Sequence, residues 1–118
     1  MAVLRVVADL HADDPAALAA FYTRLFGLET AMDMGWIVTL TGEGAQTPQI
    51  SIASEGGGGA PLPDLSIEVD DFDDALARAR EIGAAPEYGP VTEPWGVRRF
   101  FVRDPAGRLL NILTHEEA

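Results

Sequence analysis

The chain contains no cysteine, which excludes disulfides, thiolate zinc sites and thiol nucleophiles. Basic residues are scarce: eight Lys and Arg stand against 19 Asp and Glu, for a formal net charge of −11 over 118 residues. Neutralising phosphates takes clustered cations, so neither nucleic acid nor an anionic lipid surface is an expected partner. The basic side chains gather at Arg98, Arg99, Arg103 and Arg108. They read as a strand pair with a solvated face, able at most to attract a carboxylate locally. Long apolar runs are also missing; none approaches the roughly 18 residues needed to span a bilayer. The opening stretch MAVLRVVADLHADD has no basic region followed by an apolar segment and a small-residue cleavage site. No signal peptide is therefore expected, and a cytoplasmic location is the default. With 47% apolar and 23% charged residues, the composition is that of a globular protein of one ordinary domain, able to bury about two-thirds of its unfolded surface.

Periodicity supplies the elements. In residues 3–12, Leu4, Val6, Ala8, Leu10 and Ala12 alternate with Val3, Arg5, Val7, Asp9 and His11, which predicts a strand with one apolar face. Asp14 can cap a helix whose first position is Pro15. Leu18, Phe21, Tyr22, Leu25 and Phe26 then recur at helical spacing before Gly27, and this spacing assigns Phe21, Tyr22 and Phe26 to the core. Three short strands follow, in LETAMD, GWIVTLTG and TPQISIAS. Residues 55–63, EGGGGAPLP, are too rich in Gly and Pro for a regular element and read as a flexible connection.

Beyond the connection the order begins again. DLSIEV alternates, Asp71 caps a helix presenting Phe72, Ala75, Leu76, Ala79 and Ile82 up to Gly83, and three strands close the chain. The last two are joined at Asp104-Pro105-Ala106-Gly107, with Pro and Gly where a type I turn prefers them. Asp13-Asp14 returns as Asp70-Asp71, and Ala17-Leu18-Ala19 as Ala75-Leu76-Ala77. The chain thus reads as two βαβββ modules, residues 1–54 and 64–115, within one domain of residues 1–118.

In each module the helix covers one sheet face. The other faces carry Arg5, Val7, Asp9 and His11, then Gln49, Ser51 and Ala53, then Asp64, Ser66 and Glu68, then Leu109, Asn111 and Leu113. An open face in water would show this mixture; so would a concave face that receives a ligand. Asn111 stands out as an amide inside the apolar run Leu109 to Leu113.

The order βαβββ-βαβββ, with DDPAALAAFYTRLFGLE, LSIEVDDFDDALARAREIG and EPWGVRRFFVRDPAGRLLNIL, resembles the vicinal oxygen chelate superfamily, also called the glyoxalase/bleomycin resistance protein/dioxygenase family. The resemblance implies an α+β fold in which tandem modules form a curved mixed sheet, a cup. It implies either an enzyme holding a divalent metal with His and Glu, or a binder that sequesters a toxic drug. Carried over by the resemblance, the four metal-ligand positions fall on Val7, Ser51, Asp64 and Asn111. None keeps the usual ligand: valine cannot coordinate, and a neutral amide or hydroxyl is a weak donor beside imidazole or carboxylate. No cofactor is therefore expected, a divalent metal being the minor alternative.

The expectation is a metal-independent small-molecule binder with Val7, Asp9, Trp36, Ser51, Asp64, Glu68, Trp95 and Asn111 around the ligand. Trp36 and Trp95 lie off the helix stripes and suit stacking on an aromatic guest, although each could equally cover a hydrophobic edge. Asp9, Asp64 and Glu68 would make the interior acidic and favour a cation. The alternative is a lyase or dioxygenase with a displaced metal site or metal-free acid-base residues such as Asp64 and His11; His11 also reads as an exposed residue beside a helix cap, and His115 as surface. The resemblance implies a homodimer, with the Gly-rich connection permitting exchange of halves between chains.

Overall fold

The computed structural model describes residues 1–44 and 49–116. Elements run β1 (Val3–His11), α1 (Pro15–Phe26), β2 (Glu29–Asp33), β3 (Ile37–Thr41), β4 (Gln49–Ala53), β5 (Leu65–Val69), α2 (Phe72–Glu81), β6 (Tyr88–Glu93), β7 (Val97–Arg103) and β8 (Leu109–His115). This is an α+β fold with the βαβββ order twice over. Two compact units form, Val7–Leu62 and Met1–Val6 with Pro63–Ala118, so β1 contributes residues to both. Among the described residues no helix is long and apolar enough to cross a membrane.

In the unit Val7–Leu62 the strands are hydrogen-bonded in the order β2-β3-β4-β1, with β1 parallel to β4 and β3 antiparallel to β4. Helix α1 starts where the sequence says: Asp14 accepts from the Ala17 backbone N–H at 3.3 Å, Pro15 occupies the first turn, and Gly27 closes the helix at φ 66°. Ala19 packs with Val38, Leu40 and Ile52, joined by Leu10, Leu18, Tyr22, Leu28 and Ile50.

The helix stripe is narrower than its spacing suggests. Phe21 is 57% exposed, Leu25 57% and Phe26 64%. At about 100° per residue, Pro15, Leu18, Ala19 and Tyr22 centre the buried face. Phe21 and Leu25 flank that face, and Phe26 occupies the last turn of the helix.

In the other unit β1, β5, β8, β7 and β6 follow in that order, β5 and β8 being parallel and β6-β7 and β7-β8 antiparallel. Asp71 caps α2 by accepting from the Asp74 N–H at 3.0 Å. The core joins Val69, Phe72, Ala75, Ala79, Phe100 and Val102, flanked by Ile67, Leu110 and Ile112. Phe72 and Phe100 meet edge to face, their ring centroids 5.3 Å apart. Complete burial of a side chain such as Phe100 is worth about 2–3 kcal/mol in solvent transfer. Two apolar readings fail here. Leu4 and Val6 lie exposed, outside the cluster that Ile67 and Val69 enter, and Ile82 is exposed past the end of α2.

The Gly/Pro segment, read from composition as a connection, carries a defined hydrogen-bond pattern. The Gly56 N–H donates to the Ala60 carbonyl at 2.8 Å and the Ala60 N–H to the Gly57 carbonyl at 3.1 Å. The Glu55 carboxylate accepts from the Gly59 N–H at 2.8 Å. Gly56, Gly57 and Ala60 are buried, because without side chains the backbone folds tightly enough to satisfy its own polar groups.

Candidate functional site

The sheet faces turned away from the helices carry the polar residues the sequence singled out. In the unit Val7–Leu62, Asp9 pairs in register with Ser51 and Ser51 with Thr39, and Val7 shares their face by alternation. Val7 and Ser51 are buried. The Ser51 hydroxyl is engaged, 2.7 Å from the Thr39 hydroxyl. Trp36 precedes β3 and is half-buried, its carbonyl accepting from the Ser54 N–H at 2.9 Å. His11 is exposed at the end of β1, 3.7 Å from Asp13.

In the second unit, Ser66 pairs with Asn111 and Glu68 with Leu113, while Asn111 pairs with Phe101 and Leu113 with Arg99. The amide in the apolar strand is thereby explained. Leu110 and Ile112 pack beside the α2 core, and Asn111 points to the opposite face, where its Nδ2 donates to the Ser66 hydroxyl at 3.1 Å. The Asn111 side-chain carbonyl is buried and, among the described residues, has no hydrogen-bond partner. Asp64 accepts from the Leu109 N–H at 2.9 Å, and the Asp64 N–H donates to the Leu109 carbonyl at 2.8 Å. That carboxylate holds the start of β8.

Two constellations on this face were not anticipated. Glu68 accepts from the Arg5 guanidinium at 2.9 Å through one oxygen and meets His115 Nδ1 through the other. His115 is half-exposed, as a surface residue would be, yet its ring is held. The second centres on Arg99, 3% exposed, with Glu93, 7% exposed. Their closest approach is 3.7 Å. The Tyr88 hydroxyl donates to the other Glu93 oxygen at 2.5 Å. The Arg99 guanidinium lies 5.2, 5.1 and 4.9 Å from the rings of Tyr88, Trp95 and Phe101. Trp95 sits in the β6-β7 turn, which the Gly96 N–H closes onto the Glu93 carbonyl at 3.1 Å.

The Arg cluster therefore divides: Arg103 and Arg108 form exposed pairs with Glu87 and Asp104, while Arg99 is buried, contrary to the solvated face read for all four. Alternation in VRRFFVR puts Arg99 with Phe101 opposite the helix side, but only the three-dimensional neighbours reveal that Glu93 neutralises it. Strand faces likewise marked Asp9, Asp64 and Glu68 as an acidic interior, whereas Asp64 binds backbone and Glu68 is shared by two bases.

At the positions the resemblance carries over, Val7 has no donor atom, the Ser51 hydroxyl and the Asn111 amide are neutral, and one Asp64 oxygen accepts from the Leu109 N–H. Among the described residues no three His, Asp or Glu side chains gather as a metal-binding group.

A family model, the Glyoxalase/Bleomycin resistance protein/Dioxygenase superfamily, matches residues 4–112. The chain belongs to that superfamily. Solved structures share the fold. One described as the NAD-dependent benzaldehyde dehydrogenase from Legionella pneumophila is 14% identical over 95% of this chain and 100% of its own, with a TM-score of 0.76. Streptomyces coelicolor methylmalonyl-CoA epimerase, in its Q60A form, is 16% identical over 98% and 100%, with a TM-score of 0.72. A glyoxalase/bleomycin resistance protein/dioxygenase superfamily member from Vibrio splendidus 12B01 is 18% identical over 96% and 99%, with a TM-score of 0.66. At such identities the likeness is one of fold, and superfamily membership leaves the activity open. A search of curated proteins found no match.

Proposed function

We propose that this superfamily member is a metal-independent small-molecule-binding protein that sequesters an aromatic compound. The observation that carries the reading is the buried Asn111 carbonyl without a hydrogen-bond partner among the described residues, at one of the four positions where the family's metal ligands are replaced. A buried acceptor left unpaired is costly, and a ligand donor would satisfy it. Trp95, Tyr88 and Phe101 supply aromatic surface in the same unit. The cytoplasmic, homodimeric state expected from the sequence goes with this reading, and exposed Val3, Leu4 and Val6 are apolar surface for a second copy.

Native mass spectrometry and elemental analysis of protein purified without chelators test it. The expected result is no stoichiometric Fe, Mn, Ni or Zn and an assembly of twice the 12.6 kDa chain. Titration with a panel of aromatic compounds should find a ligand whose affinity falls about two- to tenfold in Asn111→Leu, the worth of one hydrogen bond. A stoichiometric metal lost on Asp64→Ala, or a panel with no binder, overturns the proposal.

A second reading, an enzyme of the lyase or dioxygenase kind using acid-base residues, has one observation in its favour. The pair named from sequence fares poorly, since Asp64 is bound to backbone and His11 is exposed. Glu68, however, engages His115 Nδ1 and leaves Nε2 as a candidate proton acceptor. If turnover of any compound is detected, His115→Gln should abolish it, and an unaffected rate removes this pair from consideration.

A further inference from the structure

Beyond the face that carries Asn111, the unit Val7–Leu62 has a cleft on the helix side of its own sheet, with a volume of about 760 Å³. It opens where α1 ends. Tyr22 and Phe26 form one wall, their ring centroids 6.3 Å apart and their planes 32° from parallel. Leu40 and Ile50 form the floor, and Glu29 and Glu43 stand among the lining residues. Among the described residues no basic side chain lines it.

We infer that this cleft binds an organic cation: a protonated amine or quaternary ammonium carrying an apolar or aromatic body. Three independent features select that chemistry. The volume falls in the range of drug-sized ligand pockets, and the floor continues the apolar cluster of the unit, so a hydrophobic body is accommodated. The ring faces of Tyr22 and Phe26 attract a cation through their quadrupoles. The Glu29 and Glu43 carboxylates take part in no ion pair or hydrogen bond among the described residues, and the carboxyl end of α1, with its partial negative charge, borders the same cleft at Gly27. An anion would meet the like charge of Glu29 and Glu43. A neutral guest would gain from the floor but nothing from the carboxylates. The contrast with the other unit is direct: there Glu68 and Glu93 are already paired with the protein's own cations.

The test uses three probes on the whole chain, the isosteres phenyltrimethylammonium and neutral tert-butylbenzene and the anionic 4-tert-butylbenzoate, each titrated while backbone amide NMR signals are followed. The ammonium should shift the signals of Leu28, Glu29, Glu43 and Ile50, bind about three- to tenfold more tightly than the neutral probe, and weaken with added salt. The benzoate should not bind. Glu29→Gln and Glu43→Gln, both at exposed positions, should each weaken the ammonium about two- to fivefold with an unchanged melting temperature. Phe26→Leu should lower the preference for the ammonium over the neutral probe. Asn111→Leu should leave it untouched, which separates this site from the one proposed above. Equal affinities for ammonium and neutral probe, an unchanged Kd in the Glu29→Gln/Glu43→Gln double variant, or shifts confined to Ser66 and Asn111 overturn the inference. So do shifts at the cleft that appear on concentrating the protein alone, which mean that a second copy covers it.

Discussion

Glu93→Ala should cost about 3–5 kcal/mol of unfolding free energy, the typical penalty for removing one partner of a buried ion pair. That is a large share of the roughly 5–15 kcal/mol that holds a domain of this kind together. The reason lies in the residue left behind. Arg99 is 3% exposed, a guanidinium is a cation that needs a counter-charge when buried, and three ring faces offset its desolvation only in part. Glu93→Ala with Arg99→Met removes both charges and should recover much of the loss, because an apolar side chain can replace a buried pair at little cost. The double-mutant cycle in urea gives the coupling directly. A single Glu93→Ala loss below about 1 kcal/mol would refute the assignment.

The same cluster has an alkaline signature. Tyr88 is held above its usual ionisation range chiefly by its hydrogen bond to Glu93, with burial adding to the effect. A proton bound more tightly in the folded chain contributes stability that is fully present below the unfolded tyrosine value of about 10. It is lost as pH rises through the folded value. Tyr88→Phe should therefore flatten the decline in stability above about pH 10.

Local rules made most of the elements readable. Asp14 and Asp71 cap the two helices, Gly27 ends the first in a left-handed conformation, and the Asp104 to Gly107 turn closes with the Gly107 N–H on the Asp104 carbonyl at 2.9 Å. Alternation also placed Asn111 opposite Leu110 and Ile112, because a strand has only two faces. What failed required knowing where a covering element stops. Spacing alone cannot tell that Phe21, Leu25, Leu4 and Val6 lie outside the packed clusters. The site was legible as a set of faces and illegible as a set of partners. Asp64 and Glu68 were visible as acids, but that one binds the Leu109 backbone and the other is divided between Arg5 and His115 depends on strand register across distant parts of the chain. Carboxylates without a side-chain partner among the described residues include Glu29 and Glu43, which no strand alternation selects.

Gly56→Ala should be among the most damaging single-methyl changes in the chain. A Cβ at that position would lie 2.0 Å from the Pro61 carbonyl oxygen, 2.7 Å from the Pro61 carbonyl carbon and 2.9 Å from the Ala60 oxygen. All three are backbone atoms, so no side-chain rotation relieves the contact; the loop itself must open. Opening it breaks the 2.8 Å bond from the Gly56 N–H to the Ala60 carbonyl in a buried stretch, adding an unpaired group to the steric penalty. Together these should cost about 3 kcal/mol. Gly59→Ala is the matched control: Gly59 has φ +83°, but a methyl added there would meet nothing within 4 Å, so only left-handed backbone strain of about 1–2 kcal/mol applies. Urea unfolding of the two variants side by side separates crowding from backbone strain. Equal losses would mean that the segment is the slack connection its composition suggests; a Gly56→Ala loss well above that of Gly59→Ala identifies it as a close-packed turn that fixes how the chain leaves β4.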